Sequence, residues 1–483
     1  MRKAQDRTTV LITALAILTG LALTGAFAVG ASKYLGSFGW PVLPGLLLAA
    51  IVGAAALAVP AHWLPAIALA AFIIVPNRIT PDGYTLRIPL WGFLIGIWVL
   101  RRLLASSRSS GPRADAPSRN MLLGWRVLAY AAAVAFLVWS LMASLRSDQI
   151  DTGLAWVGSM VVCVFLPLLV LDARREAALL RSTWLIGGAV IGTYAVVELL
   201  LQSSPLYGNL YRIIGVGDVQ HWVLHRSEAS FGHPLLAGTF FATAATLGIV
   251  TWLGSHRARD LICGAIAAAG AVATVSRGSM AAMAIAIALG LVAWVLANPN
   301  RSMGKPALFA VLGLVAGVGV LNSTPVVARD DSLESTLSAG ARETGFTVAI
   351  RGAQQTNWLG SGPGTSGITG RLFDDVVIEN SALQLLLSVG IPGLLLFMLF
   401  LSGVGLTALA ARDIAAAAAL LAFGICLVGY NAIDAVRATH LLLGFLVIIC
   451  MNPMTAALAR TKAARAAGDA EPLESVRPSG ADV

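Results

Sequence analysis

Arginines between apolar runs are the residues in this sequence with the most evident chemistry. Arg277 stands in a tight Ser276-Arg277-Gly278 turn, and Arg351 lies in a long polar stretch. The planar guanidinium donates paired hydrogen bonds, which suits it to phosphate groups. A single such arginine is more often a snorkelling or salt-bridged residue, but several together favour an anion site. The arginines predicted to face outward are Arg212, Arg226, Arg277, Arg329, Arg342, Arg351 and Arg371, and Ser276 precedes Arg277 in the turn.

One carboxylate stands at the entrance to an apolar run, Glu379, directly followed by Asn380. A carboxylate placed next to a hydroxyl group can accept its proton, so Glu379 is a candidate general base. The alternative is an acid that stabilises a helix N-terminus through the helix dipole. The residue types alone leave both roles open.

A glycine-rich stretch, Gly362-Pro363-Gly364-Thr365-Ser366-Gly367, matches the pattern G-x-G-x-x-G. No predicted strand precedes it and no βαβ unit surrounds it, which excludes a dinucleotide site. Two interpretations stay open, a turn whose backbone amides approach a phosphate group and a plain loop.

Metal ligands with the spacing of a metal site are missing from the loops predicted to face outward. His221 and His225 share a loop but have no convincing third ligand. The four cysteines lie inside apolar runs, where they fit small buried hydrophobes. We therefore expect neither a metal nor another cofactor.

The composition is that of a membrane protein. Of 483 residues, 57% are hydrophobic and only 12% are charged, whereas soluble domains carry about 25% charged residues. The mean hydropathy is +0.81. The net charge of +9 is spread over loops between apolar runs, where it fits membrane topology and anionic lipid better than nucleic acid.

Long apolar runs predict an all-α polytopic membrane protein with about fourteen transmembrane helices, since a span needs roughly 20 apolar residues. The run 63–76 is short and bounded by Pro60 and Pro76. The runs lie near 8–29, 42–59, 63–76, 87–104, 127–145, 153–171, 180–201, 233–254, 260–275, 279–297, 306–321, 389–410, 414–431 and 438–452.

Arginine and lysine cluster in alternate loops, which predicts the orientation because cytoplasmic loops retain these residues. The pattern places both termini in the cytoplasm and makes the chain a multi-pass protein of the cell membrane. A cleaved signal peptide is the alternative for residues 1–28, where Ala26-Phe27-Ala28 resembles a cleavage site.

The resulting organisation has six parts, one of them a large helical extracytoplasmic loop. Within that loop, 341–358 is predicted as an amphipathic helix with Phe346, Ile350 and Ala353 on one face, against the membrane-facing part of the protein. Asp331-Ser332-Leu333-Glu334 predicts a cap for a separate short helix before it. The parts are N-terminal transmembrane helices (1–104), a basic cytoplasmic linker (105–126), central transmembrane helices (127–321), the extracytoplasmic loop (322–388), C-terminal transmembrane helices (389–452) and a disordered cytoplasmic tail (453–483).

Four blocks of sequence, in order over about residues 225–400, resemble the O-antigen ligase and O-antigen polymerase superfamily. The blocks are Phe231-Gly232-His233-Pro234-Leu235-Leu236-Ala237; Ser276-Arg277-Gly278; Arg351 with Trp358 and Gly360-Ser361-Gly362; and Glu379-Asn380-Ser381-Ala382-Leu383-Gln384 with Gly390-Ile391-Pro392-Gly393.

The resemblance implies transfer of a glycan from a polyprenyl-diphosphate carrier to an acceptor hydroxyl on a lipid or glycan, without a metal. Arg277 and Arg351 would bind the diphosphate. We also expect Arg212, Arg226, Ser276, Trp358, Gly362 and Asn380 to contact substrate. The family has histidine where this sequence has Glu379, so the sequence departs from the family at the base.

A multi-spanning transporter or lipid-linked glycan flippase is the alternative class. Such a protein carries charges inside its spans, and Glu198 is the best candidate here. A structured outer loop as long as 322–388 favours the enzyme.

Overall fold

The computed structural model describes residues 58–77, 91–106, 119–214, 225–299, 333–374 and 376–453, with positions 56 and 89. Every regular element within these ranges is a helix, which confirms the predicted all-α class for this part of the chain. The predicted spans 8–29 and 306–321, nearly all of 42–59, most of the basic linker and the C-terminal tail lie outside the described residues.

Helices are labelled here in chain order. The first seven are α1 (Leu64–Ile74), α2 (Gly92–Ser106), α3 (Arg119–Arg146), α4 (Ile150–Met160), α5 (Arg174–Leu201), α6 (Tyr207–Ile214) and α7 (Pro234–Ser255). The next seven are α8 (Ala258–Ala273), α9 (Arg277–Ala297), α10 (Leu333–Gln355), α11 (Ser366–Asp374), α12 (Ser381–Ala410), α13 (Ile414–Cys426) and α14 (Ala438–Met451).

Six of the described helices are long and apolar enough to cross a membrane, which requires about 20 residues. Three shorter apolar helices accompany them, at Ala61–Ile74, Ile414–Gly429 and Ala438–Met451. The chain is therefore compatible with a membrane protein, and the total of fourteen spans stays a prediction. The six are Leu123–Arg146, Ile150–Leu169 (α4 with the helical turns that directly follow it), Arg174–Leu201, Pro234–Ser255, Arg277–Ala297 and Ser381–Ala410.

Helix α7 forms the centre of the bundle. It is apolar on all sides, and 78% of its most hydrophobic stretch is buried inside the protein, as expected for a helix surrounded by other helices. Helices α5, α8, α9 and α13 pack around it, while α3 lies along α12. The outer end of α7 is therefore held in place on several sides.

Glycines let the helix backbones come close together in this bundle. A Cβ atom at Gly248 of α7 would lie 2.8 Å from the Cα atom of Gly264 in α8. One at Gly270 of α8 would lie 2.9 Å from the Cα atom of Gly192 in α5. Small residues at helix contacts are typical of membrane bundles, where packing replaces the hydrophobic effect as the driving force.

Hydrogen bonds between loops define two ends of the bundle. Ser147 Oγ donates to the carbonyl of Ser361 at 2.6 Å, and both belong to loops predicted outside. Arg126 Nη2 donates to the carbonyl of Met451 at 2.6 Å, and both lie at span ends predicted inside. We call the end with Ser147 and Ser361 the outer end, and the end with Arg126 and Met451 the inner end.

Helix α10 corrects two predictions about the outer loop. The predicted short helix before 341–358 is not separate, because α10 runs continuously over Leu333–Gln355 and no proline interrupts it. The predicted face was also wrong, since Ala353 is buried but Phe346 is 56% exposed. Relative to the predicted face, the buried face is rotated about the helix axis by about a quarter of a turn, toward Gly345 and Gly352. A Cβ atom at Gly352 would collide with the side chain of Leu387, which explains the glycine at that position.

Candidate functional site

The outer end of α7 begins with His233, which caps the helix. Its Nδ1 atom accepts the backbone N–H of Leu235 at 3.2 Å, and Pro234 follows at the first helical position, where proline is favoured. The imidazole ring stacks on Tyr430, with ring centroids 5.4 Å apart and planes at 18°. The first sequence block therefore lies against the loop between α13 and α14.

The Ser276-Arg277-Gly278 turn lies beside the same end of α7. Ser276 caps α9 by accepting the backbone N–H of Ser279 at 3.4 Å. Arg277 is the first residue of α9 and is exposed. A Cβ atom at Gly238 of α7 would collide with Ser279 Oγ, so only glycine lets α7 approach the turn this closely.

Arg226 is buried and holds its loop to the same turn. Its Nε atom donates to the carbonyl of Thr274 at 3.2 Å, and the amide of Ser227 donates to Ala273 at 3.1 Å. The carboxylate of Glu198 supports this loop by accepting hydrogen bonds from Ser227 Oγ and from the amide of Ala229. Sequence analysis considered Glu198 only as a charge inside a span and did not foresee this anchoring role.

Arg212 is exposed in the last turn of α6. Residues 215–224, which connect it toward Arg226, lie outside the described residues. The described contacts do not bring Arg212 together with the other candidate residues.

Helix α12 breaks at Gly390, which has φ 71° and ψ −176°. The glycine-rich loop fills this break. The amide of Ser361 donates to the carbonyl of Leu387 at 2.9 Å, and the amide of Gly362 donates to that of Ser388 at 2.8 Å. Backbone groups freed at membrane depth must be paired again within the protein, and the loop supplies the donors.

Two tryptophans complete the pairing at this break. Trp139 Nε1 donates to the carbonyl of Val389 at 2.7 Å, and the amide of Ile391 donates to the carbonyl of Trp358 at 2.9 Å. Trp358 is half-buried with φ 63°, a conformation that bulky residues rarely adopt. Strained backbone of this kind concentrates at functional sites, which fits the predicted contact between Trp358 and substrate.

The same loop wraps around a carboxylate of the protein. Asp434, buried in the loop between α13 and α14, accepts the amides of Gly364 at 2.8 Å and Ser366 at 3.0 Å. Burial raises the pKa of the Asp434 carboxyl above its ordinary value, and the hydrogen bonds from the loop oppose this shift. The N–H groups of Gly362 and Gly364 thus donate to acceptors inside the protein. They position the loop and leave phosphate binding to other groups.

Glu379 lies directly before the N-cap of α12. The cap itself is Asn380, whose Oδ1 atom accepts the amides of Ala382 at 2.9 Å and Leu383 at 3.1 Å. Glu379 is partly exposed, and its Oε2 atom lies 3.6 Å from Arg342 Nη2 of α10. Asn380 therefore caps α12, and both roles considered for Glu379, a base and an acid at the helix N-terminus, stay predictions.

Arg351 is exposed on α10, the helix that also carries Arg342. The buried face of α10 contributes Val348 to a cluster with Ile378 and Leu387. This cluster fixes α10 against the segment that leads into Glu379. It places Arg351 at the outer end, on the flank of a firmly packed helix.

Tyr430 connects these parts. Its carbonyl accepts Ser381 Oγ at 2.6 Å, at the start of α12, while its ring stacks on His233 at the start of α7. The structure thus brings the four sequence blocks to one end of the bundle. No described contact joins Arg277 directly to Arg351 or to Glu379. Tyr430 and Asp434 were missed by sequence analysis, although a polar loop between two apolar runs could have drawn attention to them.

Within the described ranges, no group of three or more histidine, cysteine, aspartate or glutamate side chains could hold a metal ion. No model of a known protein family matches the chain, and no curated protein matches it in sequence.

Proposed function

We propose that this protein transfers a glycan from a polyprenyl-diphosphate carrier to an acceptor hydroxyl at the outer face of the cell membrane, as an O-antigen ligase-like or polysaccharide polymerase-like glycosyltransferase in cell-surface polysaccharide biosynthesis. The observation that supports the proposal is the meeting of the first and fourth family-like sequence blocks at Tyr430, with the other two blocks at the same end of the bundle. Both termini would lie in the cytoplasm.

In this reaction, Arg277 and Arg351 bind the diphosphate. Both are exposed at the outer end, where a lipid headgroup can reach them. As the bond between the sugar C1 atom and the diphosphate oxygen breaks, negative charge grows on the diphosphate, and paired arginine donors stabilise it. Ser276 caps the helix that presents Arg277, and buried Arg226 holds the neighbouring loop.

Glu379 accepts the proton of the acceptor hydroxyl while the hydroxyl oxygen forms the new bond to C1. A positioned carboxylate can fill the role of the family's histidine, since general-base catalysis requires reach and geometry first. Arg342, 3.6 Å away, orients the carboxylate. Asn380 fixes the start of α12, and Trp358, held by the loop containing Gly362, offers an indole face to a sugar.

The transporter alternative depends on Glu198, and the structure gives that carboxylate a role in the loop. It is 1% exposed and accepts hydrogen bonds from Ser227 and Ala229. No described observation favours transport over transfer.

The decisive experiment incubates the purified full chain with a polyprenyl-diphosphate-linked oligosaccharide and candidate acceptors, with a chelator present. The expected result is a glycosylated acceptor and free polyprenyl diphosphate, detected by mass spectrometry. Movement of intact lipid-linked glycan across a vesicle, with no bond broken, would assign the chain to the transporters instead. Activity that disappears with the chelator and returns with a divalent ion would contradict metal-independent transfer.

A further inference from the structure

A small groove opens at the inner end of the bundle, at the opposite end from the residues of the proposed reaction. It lies between α3, the segment 167–171 that follows α4, and the last turns of α14. Arg126 and Tyr130 line it from α3, Leu168 and Leu171 from the next segment, and Val447 and Met451 from α14.

Arg126 gives this groove a hydrogen-bond donor without an acceptor. Its Nη2 atom donates to the carbonyl of Met451 at 2.6 Å. Its Nε atom is buried and has no hydrogen-bond partner in the described part of the chain. A buried guanidinium N–H without an acceptor is unfavourable, so an acceptor that enters the groove beside Arg126 would be favoured.

Two other inner-end arginines have protein acceptors. Arg101 donates to the carbonyls of Ala56 and Val59, both at 2.6 Å, and Arg102 lies 3.2 Å from the carboxylate of Glu176. Arg126 differs because its guanidinium combines a donor without an acceptor with an apolar groove.

The walls of the groove continue into a surface suited to hydrocarbon. Leu171 is 62% exposed, and Val127, next to Arg126, is 56% exposed. Tyr130 uses its hydroxyl to donate to the carbonyl of Leu168 at 2.8 Å, which leaves its ring as part of the wall. A free phosphate ion would use the guanidinium only, whereas a phospholipid would use both the guanidinium and the apolar wall.

We propose that Arg126 and the adjoining wall bind an anionic phospholipid, with the lipid phosphate accepting from the guanidinium of Arg126 and an acyl chain lying along Leu168, Leu171 and Val127. Basic pockets between transmembrane helices at the inner side of a bilayer suit anionic headgroups. The net negative charge of such a headgroup complements the arginine-rich inner end.

The test measures the unfolding midpoint of the purified, delipidated full chain in detergent while lipid is added. The additions are phosphatidylglycerol, phosphatidylcholine, diacylglycerol and glycerol phosphate. We expect phosphatidylglycerol to raise the midpoint at the lowest concentration. Glycerol phosphate lacks the chains and diacylglycerol lacks the phosphate, so both should have little effect.

Variants connect the effect to the groove. Arg126→Gln should weaken the apparent affinity for phosphatidylglycerol by at least about fivefold, the size expected for one basic residue at a lipid surface. Arg126→Lys keeps the charge but loses the paired donors, and it serves if the glutamine variant does not fold. Arg175→Gln removes the same charge from an exposed position at the same end and should match the wild type.

Three results would overturn the proposal. They are equal stabilisation by phosphatidylcholine and phosphatidylglycerol, unchanged affinity in both Arg126 variants, and full stabilisation by glycerol phosphate alone. The last result would show a site for soluble phosphate rather than for lipid. A full chain that responds to none of the additions would mean that something other than lipid fills the groove.

Discussion

Asp434 accepts the backbone N–H of Gly364 at 2.8 Å, across 70 residues of chain. With the second hydrogen bond from Ser366, this contact makes the glycine-rich loop a cradle for a carboxylate of the protein itself. Successive amides in such a turn favour an anion, and here the anion is a side chain. The loop therefore joins the break in α12 to the start of α14.

Replacement of this carboxylate should loosen the loop. In Asp434→Asn, one amide finds an acceptor but the other faces an NH₂ group, and a buried donor without an acceptor costs about 1–3 kcal/mol. We expect a lower unfolding midpoint and faster proteolysis within 360–366. Asp374→Asn, at the exposed end of α11, is the matched control and should change neither. An unaltered midpoint in Asp434→Asn would show that the two amides contribute little.

Lysine should replace neither Arg277 nor Arg351 well. The substitution keeps the charge but loses the fork that binds two phosphate oxygens. Loss of a donor that stabilises developing charge costs on the order of a hundredfold in turnover, measured as glycan transfer by purified variants. Arg371→Lys makes the same substitution at an exposed position of α11 and serves as the control at the outer end. Folded Arg277 and Arg351 variants with near-normal turnover would give these arginines structural roles only.

Glu379→Gln keeps the shape of the side chain but removes its ability to accept a proton. General-base catalysis contributes about 10²–10⁴-fold, so turnover should fall by that factor while binding of the lipid donor persists. Stability should change little, since the exposed pair with Arg342 contributes at most about 1 kcal/mol.

Arg342→Gln is the control for the Glu379 experiment, because it removes the ion pair but keeps the carboxylate. Its loss of turnover should be much smaller than that of Glu379→Gln. Equal losses in the two variants would show that the pair, rather than the base, is what the reaction needs. Glu379→His tests whether the position accepts the base that the resembling family has there.

His225 should make the protein less stable in mild acid. Burial lowers the pKa of its imidazole below the ordinary value, and the nearby Glu198 opposes the shift. Because the unfolded chain takes up this proton more readily, stability is complete above about pH 6.5 and falls as the pH drops toward the folded-state pKa. The unfolding midpoint of the wild type should therefore decrease more between about pH 7.5 and 5.5 than that of His225→Gln. Parallel curves for the two proteins would remove His225 from this account.

The orientation has its own test, with exposed positions at each end. Thr347 lies on α10 at the outer end, and Ala258 starts α8 at the inner end. In intact cells, an impermeant maleimide should label Thr347→Cys but not Ala258→Cys, since the arginine-rich loops are predicted to face the cytoplasm. Labelling restricted to Ala258→Cys would reverse the orientation.

The helices were predictable because a bilayer demands long apolar runs, and eleven of the fourteen predicted runs coincide with described helices. The buried face of α10 was not predictable. The hydrophobic pattern favoured Phe346, whereas the packing used the small residues Gly345 and Gly352, and Gly352 leaves room for the side chain of Leu387. Sequence periodicity carries no information on how near a neighbour comes.

Only part of the site could be read from the sequence. Arg277, Arg351 and Glu379 stood out by residue type and position, and the structure places all three at the outer end. The partners of the glycine-rich loop did not stand out, because Asp434 and the carbonyls at Leu387 and Ser388 meet it only in three dimensions. A motif shows that backbone amides can cluster, and tertiary contacts decide which acceptor they find.

The break in α12 also bears on the order in which the chain can be completed during synthesis. Trp139, Ser361 and Gly362 leave the ribosome before the carbonyls of 387–389 to which they donate. The donors therefore exist before the interrupted helix enters the bilayer. The carbonyls at the break have hydrogen-bond partners at once and do not depend on a segment that is synthesised later. Asp434 emerges afterwards. In a nascent chain halted before residue 430, the carbonyls at the break in α12 would thus be paired, while the glycine-rich loop would still lack its hydrogen bonds to Asp434.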